Sequence, residues 1–230
     1  MKRRPLVLLS LLLGACSSDA TPQPAPDGGS PDAGNPLCTY KPGAPETFGA
    51  PKLHTPRWAF EPWISKDIST GPDTYDFVQG FQDRDIPVGV VVLDSPWETI
   101  YNSFTPNPSR YPDFGKMVGD MHQKNVKVVL WITQMVNSIS YDLEKGGDTY
   151  KGPAPKLDEG NNCGFFVDEG AQYPWWKGTG AGVDFFNADA RAWWHEQQNQ
   201  VLDLGIDGWK LDFGDSYIPT DPVETAAGMK

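Results

Sequence analysis

The sequence predicts an α/β fold in which helices cover a parallel β-sheet built as the first half of an eightfold (β/α) barrel. Short, almost wholly apolar runs alternate with longer stretches in which apolar residues recur at helical spacing, and the alternation repeats four times within residues 57–230. The apolar runs, of which VGVVVL at 88–93 is the clearest, are typical of strands buried on both faces, as in parallel sheets. Four strand–helix cycles with right-handed crossovers make half of an eight-stranded barrel.

The boundaries of each element follow from the apolar pattern and from residues that favour helix ends. Predicted strands cover 57–65, 88–97, 126–136 and 206–215. Predicted helices cover 74–87, 113–125 and 189–205. Pro87 ends the first helix, Pro112 precedes the second and Gly205 follows the third. The segment 138–187 lacks such a pattern, so we predict a loop-rich insert after the third strand.

The first 16 residues predict an export signal. Three basic residues precede the apolar run 6–15, which is too short to cross a bilayer as a permanent helix. The run ends in Leu-Gly-Ala-Cys, which resembles the lipobox of bacterial lipoproteins and predicts that Cys16 is lipidated as the first residue of the mature chain. The alternative is ordinary secretory cleavage nearby. Both interpretations export the protein, and the first holds it at the bacterial cell envelope by the lipid alone.

Residues 17–56 are rich in Pro, Gly, Ser, Asp and Ala and poor in large apolar side chains. A segment of this composition cannot bury enough apolar surface to offset the entropy of ordering, so we predict a disordered tether before a partial barrel domain at 57–230. Cys38 in the tether and Cys163 in the insert could form a disulfide in an oxidising compartment. The sequence alone does not decide whether they do.

Composition and spacing exclude several classes of function. The chain has 19 Lys and Arg against 30 Asp and Glu, a net charge of −11 with no basic stripe, which argues against nucleic acid as a partner. Three cysteines, and three histidines far apart in sequence, do not suggest a metal site. The glycine-rich segments 146–152 and 178–182 lack the Lys-Ser/Thr ending of a phosphate-binding loop. We therefore predict no metal and no cofactor.

Polar and aromatic side chains end each predicted strand, at the edge where parallel sheets bind their ligands. They are Glu61 and Trp63, then Asp94, Ser95 and Trp97, then Trp131, Thr133 and Gln134, then Lys210, Asp212 and Asp215. Any one of them alone could be a solvated loop residue or a helix cap, and we interpret Asp67 and Asp189 in that way. Four successive strands that end alike instead indicate a functional site.

The clearest of these strand ends is GIDGWKLDFGDS at 205–216. Alternation along a strand places Lys210 and Asp212 on one face and their apolar neighbours on the other. A carboxylate on the inner face of a barrel is costly unless it is paired, and Lys210 can hold Asp212 ionised. An ionised, positioned carboxylate can act as a nucleophile. The alternative is a Lys–Asp pair that only stabilises the barrel interior.

Four stretches of the sequence together resemble one enzyme family. They are LDSPWETIYNSF at 93–104, RYPDFGKMVGDMHQKNVKVVLWITQMVN at 110–137, VDFFNADARAWWHEQ at 183–197 and KLDFGD at 210–215. In this order they are similar to motifs of glycoside hydrolase family 31, the retaining α-glucosidases and α-xylosidases. Ala188 departs from the pattern, because the family has Pro there. The resemblance implies a (β/α)8 barrel of the TIM type, of which this chain carries about the first four βα units.

The resemblance also implies a reaction. Asp212 matches the family's nucleophile, which attacks an α-glycosidic bond, forms a covalent glycosyl-enzyme and releases the sugar with retained configuration. Asp215 stands at a family Glu position and is expected to orient neighbouring groups. The family's acid/base carboxyl lies on a later strand, some tens of residues further on, so we expect this chain alone to carry half of the catalytic pair and to lack the second half of the barrel. The resemblance does not separate hydrolases from transglycosylases.

An α-linked saccharide is the partner that this resemblance implies. Predicted substrate-binding residues are Asp94, Trp97, Trp131, Lys210, Trp175 and Trp176. Asp94 would accept hydrogen bonds from the non-reducing sugar, and indole rings can stack on its apolar face. The alternative for the insert aromatics is a small core of the insert itself, which we favour for Phe165 and Phe166. The alternative function is that of a noncatalytic glycan-binding surface lipoprotein.

Overall fold

The structure is a computed structural model that describes residues 38–39, 55–141, 151–212 and 222–230. The described residues belong to one compact unit, Pro31–Lys230. The predicted signal with Cys16, most of the predicted tether, and Asp215 lie outside the described residues. Among the described residues, no helix is both long enough and apolar enough to cross a membrane.

Strands and helices alternate along the described part of the chain. The strands are β1 (Trp63–Lys66), β2 (Val90–Leu93), β3 (Lys127–Ile132), β4 (Met135–Ser140), β5 (Tyr173–Trp175), β6 (Gly178–Gly182) and β7 (Gly208–Leu211). The α-helices are α1 (Gly71–Gln82), α2 (Phe114–Gln123), α3 (Leu157–Asn162) and α4 (Ala188–Leu202). Short 3₁₀ helices cover Arg57–Phe60 and Asp168–Gly170.

The main sheet has the strand order β1–β2–β3–β7, and all four strands run parallel. The predicted parallel sheet is therefore confirmed, and α1, α2 and α4 form from the predicted amphipathic stretches. Strand β2 is buried along its whole length, as its apolar run predicted. Helices pack on one face of the sheet and the other face carries the site described below.

Side chains that alternate along the strands divide between two apolar clusters. On the helix-covered face, Val91 and Val128 share a cluster with Met117 and Met121 of α2. On the opposite face, a second cluster contains Val90, Val92, Val129 and Trp58. This second face leads, at the carboxyl ends of the strands, to the polar residues of the site.

Capping side chains decide where two of the helices begin. The Thr70 hydroxyl accepts a hydrogen bond from the backbone N–H of Asp73, so α1 begins at Gly71, three residues earlier than the apolar pattern predicted. The Asn187 side chain accepts from the backbone N–H groups of Asp189 and Ala190, and α4 begins directly after it. Asp189 lies in the first turn of α4, which agrees with its interpretation as a residue of a helix start.

The first predicted strand, 57–65, is wrong in its position. Arg57–Phe60 forms a 3₁₀ helix, Pro62 follows it, and β1 runs from Trp63 to Lys66. Because β1 starts at Trp63, the residues Glu61 and Trp63 lie at the amino end of the strand. They do not end it, and Glu61 pairs there with Arg57 at 2.8 Å. The residue that follows the carboxyl end of β1 is Asp67.

The prediction of a loop-rich insert is also wrong, because β4, β6 and β5 form an antiparallel sheet in that order. The third predicted strand, 126–136, divides at Thr133 and Gln134 between the two sheets. The glycine-rich segment 178–182 is strand β6. A side chain at Gly180 would place its Cβ atom 2.7 Å from the Val136 carbonyl oxygen, so only glycine allows β6 to pack this closely on β4.

The insert is joined to the rest of the molecule by packing and by a disulfide. Phe165 and Phe166 do not form a separate core, since both contact Trp193 of α4 at ring-centroid distances of 5.4 and 6.0 Å within the main apolar cluster. Cys38 and Cys163 form a disulfide, which answers the question that the sequence left open. The disulfide fixes Cys38 of the predicted tether to the end of α3.

Candidate active site

The register of the main sheet aligns four side chains in one row. Trp131 of β3 pairs with Lys210 of β7. Leu93 pairs with Leu130, so the next residues along these two strands, Asp94 and Trp131, lie side by side. Lys66 likewise pairs with Leu93, so Asp67, the residue after Lys66, lies beside Asp94. Paired residues of adjacent strands point to the same face, so the row lies on one face at the carboxyl edge of the sheet. Asp212 follows on that face, two residues after Lys210.

Asp94 is the most enclosed carboxylate of the site, with 6% of its surface exposed. Its Oδ1 atom accepts a hydrogen bond from the backbone N–H of Ser95 at 2.8 Å. Its Oδ2 atom accepts from the Ser65 hydroxyl at 3.3 Å and from the Lys210 ammonium at 2.6 Å. These donors compensate the loss of hydration that a buried carboxylate otherwise suffers, and they fix both of its oxygen atoms in place.

Lys210 links two carboxylates of the site. Its ammonium lies 2.6 Å from Asp94 and 3.5 Å from Asp212. Burial alone would lower the pKa of Lys210, but the hydrogen bond and charge of Asp94, together with Asp212, outweigh burial and raise it. Lys210 is therefore cationic throughout the neutral range and places one positive charge beside both carboxyl groups.

Asp212 is positioned by its backbone as well as by side chains. Its N–H donates to the carbonyl oxygen of Ile132 at 2.9 Å, which extends the β3–β7 pairing by one residue. The indole N–H of Trp131 donates to Asp212 Oδ2 at 2.9 Å. The side chain of Asp212 keeps 31% of its surface exposed. The Trp131 indole and the Lys210 ammonium thus orient the carboxylate, which remains accessible to a ligand at the carboxyl edge of the sheet.

The tryptophans predicted to contact substrate divide between the core and the site. Trp97 has no exposed surface, and its indole N–H donates to the Trp131 carbonyl at 2.7 Å. Trp175 is 3% exposed and stacks on Trp131 at 6.4 Å with its indole bonded to Asn137. Side chains without accessible surface cannot stack on a sugar, so the predictions for Trp97 and Trp175 are corrected to core roles. Trp131 is 1% exposed, so its predicted contact with a sugar ring is corrected in the same way, and its indole N–H contributes to the site by its bond to Asp212.

The turn between β5 and β6 brings the insert to the site. Trp176 is partly buried, and the Lys177 ammonium lies 3.7 Å from the centre of its ring, a cation–π contact. Lys177 is fully buried and also lies 5.9 Å from the ring of Tyr101. Tyr101 in turn contacts Trp131 and Trp175. The predicted saccharide contact of Trp176 stays a prediction.

A buried carboxylate that sequence reasoning missed shapes the loop after β2. Glu98 is 3% exposed and accepts hydrogen bonds from the backbone N–H groups of Asn102 at 3.0 Å and Phe104 at 2.8 Å. Asn102 and Phe104 both have positive φ angles, so these bonds hold a loop that the backbone alone disfavours. The loop presents Tyr101 to Trp131, next to the site. The sequence signal was the acidic residue that directly follows Trp97, the last residue of the predicted strand.

Asp67 lies closer to the site than the sequence indicated, because the first strand was placed too early. The strand register brings Asp67 beside Asp94, and its side chain is exposed after the end of β1, as its interpretation as a solvated loop residue expected. Partial burial and the negative charge of Asp94 raise the pKa of the Asp67 carboxyl, while Lys210 and Lys177 act in the opposite direction. Asp215, the predicted orienting residue, lies outside the described residues.

The arrangement can position an ionised nucleophile beside groups that accept and donate hydrogen bonds. It combines exposed carboxylates, an ammonium and indole N–H groups at one edge of a parallel sheet. In the part of the chain that the structure describes, no three His, Cys, Asp or Glu side chains converge as metal ligands.

Comparison with known proteins places this site in a family. Residues 52–229 match the model of the glycosyl hydrolases family 31 TIM-barrel domain. The chain belongs to glycoside hydrolase family 31. The family resemblance and the TIM-barrel fold class inferred from the sequence are thereby confirmed, for the part of the domain that the chain covers.

Curated members of family 31 align with most of this chain. An α-xylosidase of Emericella nidulans is 27% identical over 176 residues, which are 73% of this chain and 21% of the relative. The α-glucosidase of Saccharolobus solfataricus is 29% identical over 177 residues, 76% of this chain and 24% of the relative. This chain therefore spans about a fifth to a quarter of the length of these relatives.

Solved structures of family 31 share the fold. The Flavobacterium johnsoniae dextranase in complex with glucose superposes with a TM-score of 0.61 at 18% identity, over 76% of this chain and 21% of the dextranase. The cycloalternan-degrading enzyme of Trueperella pyogenes superposes with a TM-score of 0.60 at 22% identity, over 76% of this chain and 28% of the enzyme. At these identities the likeness is one of fold.

Proposed function

We propose that this protein contributes the nucleophile half of an active site that hydrolyses α-glycosidic bonds with retention of configuration. The observation that carries the proposal is the accessible Asp212 carboxylate, oriented by Trp131 and Lys210 on the inner face of a family 31 sheet. Such a carboxylate is the nucleophile that retaining glycosidases require.

The described residues support a defined division of work in the first step. Asp212 attacks the anomeric carbon, a bond forms between its carboxylate oxygen and that carbon, and the glycosidic C–O bond breaks. Lys210 and the Trp131 indole hold Asp212 against rotation, and Asp94 accepts hydrogen bonds from sugar hydroxyls. Water then attacks the anomeric carbon from the face that the leaving group had occupied, the bond from that carbon to the Asp212 oxygen breaks, and the carboxylate is regenerated with net retention.

A second carboxyl group must donate a proton to the leaving oxygen, at about 5–5.5 Å from the nucleophile. We propose that it comes from barrel strands beyond the four described here. The outer strands support this, since Leu211 of β7 is 81% exposed and Trp63 of β1 is 51% exposed. Apolar side chains at both edges of an open parallel sheet favour further strands and helices that cover them.

The substrate class that we propose is an α-xyloside or α-glucoside. The curated relatives named above act as an α-xylosidase and an α-glucosidase. The site itself is compatible with a neutral sugar ring, because it offers carboxylate acceptors and an ammonium donor around the nucleophile. A transglycosylase would use the same first step and differ only in the acceptor.

The test is hydrolysis of α-xylosyl fluoride and α-glucosyl fluoride by the full chain. Fluoride leaves without protonation, so the nucleophile is tested independently of any acid/base group. We expect fluoride release that disappears in Asp212→Asn, whereas Asp113→Asn, a matched exposed change at the start of α2, leaves it intact. Saccharide binding without fluoride release in either form would instead identify a noncatalytic glycan-binding protein.

We also propose that the protein is exported and anchored to the cell envelope by a lipid on Cys16. The Cys38–Cys163 disulfide supports export, because disulfides persist in oxidising compartments. Labelling of growing cells with a radioactive fatty acid should mark the protein, and Cys16→Ser should remove the label. Release of unlabelled wild-type protein into the medium would contradict the anchor and favour ordinary secretory cleavage.

A further inference from the structure

Asp67 is a carboxylate of the site that the reaction proposed above does not use. It follows β1 directly and lies beside Asp94 in the register of the sheet. The N–H of the next residue, Ile68, donates to the carbonyl oxygen of Ser95 at 3.2 Å. That bond ties the segment after β1 to the segment after β2, one residue past each carboxylate. The two carboxylates are therefore held next to each other by backbone, at the open end of adjacent strands.

The backbone that presents Asp67 is strained. Ile68 has a φ angle of +50°, and a β-branched residue in the left-handed region costs on the order of 1–3 kcal/mol. The bond to Ser95 stabilises this conformation, and the strain turns the chain sharply after Asp67. Strain of this kind is concentrated at ligand-binding and catalytic sites, where the surrounding structure maintains it.

The charges around Asp67 leave the row with an excess of negative charge. Lys210 is bonded to Asp94 and lies near Asp212, so its ammonium is shared between those two carboxylates. The groups that act electrostatically on Asp67 are Asp94 and Asp212, which are negative, and Lys210 and Lys177, which are positive. Within the described residues, these three carboxylates against two ammonium groups favour a ligand that donates hydrogen bonds or carries positive charge. They oppose a ligand that brings another carboxylate.

We infer that Asp67 is a second substrate-binding carboxylate, which acts with Asp94 on neighbouring groups of the sugar and selects neutral or amino-substituted α-glycosides over α-uronides. Its side chain is exposed and lies beside Asp94, so it can accept hydrogen bonds from a ligand that Asp94 also contacts. The inference rests on the proposed function, because it assigns a preference to the sugar pocket of that same site.

The test uses the full chain with Asp212→Asn, which binds sugars without turning them over. Calorimetry measures the affinity for three probes: 4-nitrophenyl α-D-glucopyranoside, its 2-amino-2-deoxy analogue and 4-nitrophenyl α-D-glucuronide. We expect the glucuronide to bind weakest. Adding Asp67→Asn should weaken the neutral and amino probes about tenfold, since a hydrogen bond to a charged acceptor is lost, and should narrow or reverse the discrimination against the glucuronide. Asp76→Asn, an exposed change on α1, is the matched control and should alter none of the three.

Equal losses for all three probes would indicate a structural defect and overturn the inference, as would unchanged affinity ratios or no binding of any probe. If Asp67→Asn does not fold, as judged by circular dichroism, Asp67→Ser is measured in its place. Fluoride release by the wild-type chain is a separate readout. Fluoride release together with a sugar preference that does not depend on Asp67 would overturn this inference only. An Asp67-dependent preference without fluoride release would overturn the proposed reaction only.

Discussion

Lys210 joins the Asp94 and Asp212 carboxyl groups of the site. Its ammonium is bonded to Asp94 and lies 3.5 Å from Asp212, and its pKa is raised by these partners against the effect of burial. Removing the ammonium takes a charged hydrogen-bond donor away from both carboxyl groups at once.

We predict that Lys210→Met weakens saccharide affinity about tenfold and lowers the rate of fluoride release, because both carboxyl groups lose a charged hydrogen-bond donor. Lys210→Arg should restore most of the affinity, because it keeps the charge. Calorimetry and the rate of fluoride release measure the two effects, with Lys116→Met, an exposed lysine of α2, as the control. Equal affinities for Lys210→Met and Lys210→Arg would contradict the role of the charge.

At the residue level, the sequence predicted Asp94, Lys210 and Asp212 because alternation along buried strands fixes which face each side chain occupies. The position of Asp67 beside Asp94 could not be predicted, because it depends on where β1 begins. The sequence places that strand too early, over residues that form a 3₁₀ helix. Trp97 and Trp175 were misjudged for another reason. An aromatic residue after a strand can lie in the core or line the pocket. The contacts of Trp97 and Trp175 with Trp131 show that both lie in the core.

At the level of elements, Asp207 joins three parts of the fold. The residue precedes β7 and accepts hydrogen bonds from His122 of α2 at 2.7 Å, from Lys127 of β3 at 2.8 Å and from the Val128 backbone N–H at 2.9 Å. Burial would raise the pKa of Asp207, but the bonds from Lys127, Val128 and His122 outweigh it and lower the pKa. The carboxylate form therefore stabilises the junction of these elements.

A carboxyl group whose pKa is lowered on folding stabilises the protein at pH values above its pKa in the unfolded chain, which is about 4 for Asp. This stabilisation is lost as the pH falls through the pKa of the group in the folded protein. We predict that Asp207→Asn lowers the free energy of unfolding by about 1 kcal/mol at neutral pH and flattens its decline below pH 4. Urea unfolding at several pH values measures both effects. Asp203→Asn, exposed at the end of α4, is the control, and an equal pH dependence in the Asp207 variant would contradict the prediction.

The disulfide between Cys38 and Cys163 acts at the same level, because it closes a loop with a sequence separation of 125 residues. Such a crosslink restricts the unfolded chain, so we predict that Cys163→Ser lowers the free energy of unfolding by about 2–4 kcal/mol. Dithiothreitol should lower the melting temperature of the wild type and leave that of the variant unchanged. Equal melting temperatures for oxidised wild type and variant would show that the crosslink adds nothing.

Elements were predicted best where local signals were strong. The parallel strands and α1, α2 and α4 follow from apolar runs and helical spacing, and the Thr70 and Asn187 caps explain the errors at the starts of α1 and α4. The first helix ends at Gln82, before the predicted end at Pro87. The second sheet was missed because β6 reads GTGAG, which carries no strand signal. Its glycines are required by close approach to β4, a tertiary constraint that the local sequence does not reveal.

At the level of the whole molecule, the described sheet is open at β1 and β7. Leu211 on β7 is 81% exposed, although it alternates with Lys210 and Asp212 and so lies on the face that helices cover elsewhere in the sheet. Exposed apolar residues on an edge strand promote association between chains.

We predict that the 230-residue chain self-associates and that Leu211→Lys reduces the association. Sedimentation velocity across a range of concentrations measures it, with Leu202→Lys at the end of α4 as the control because Leu202 is 39% exposed. A wild-type chain that is monomeric at all concentrations would contradict this prediction. The four parallel strands of the described sheet could be predicted from the sequence, whereas the exposure of Leu211 depends on what packs beside β7.

Covalent trapping tests most directly the proposal that Asp212 is the nucleophile of a sugar-binding site. A 5-fluoro-α-D-xylosyl fluoride carries a leaving group that needs no acid, and its ring fluorine slows hydrolysis of the glycosyl ester. After incubation with the full chain and proteolysis, mass spectrometry should find one added glycosyl group, on Asp212, and none in Asp212→Asn. An unmodified protein, or a glycosyl group on any other residue, would contradict the account.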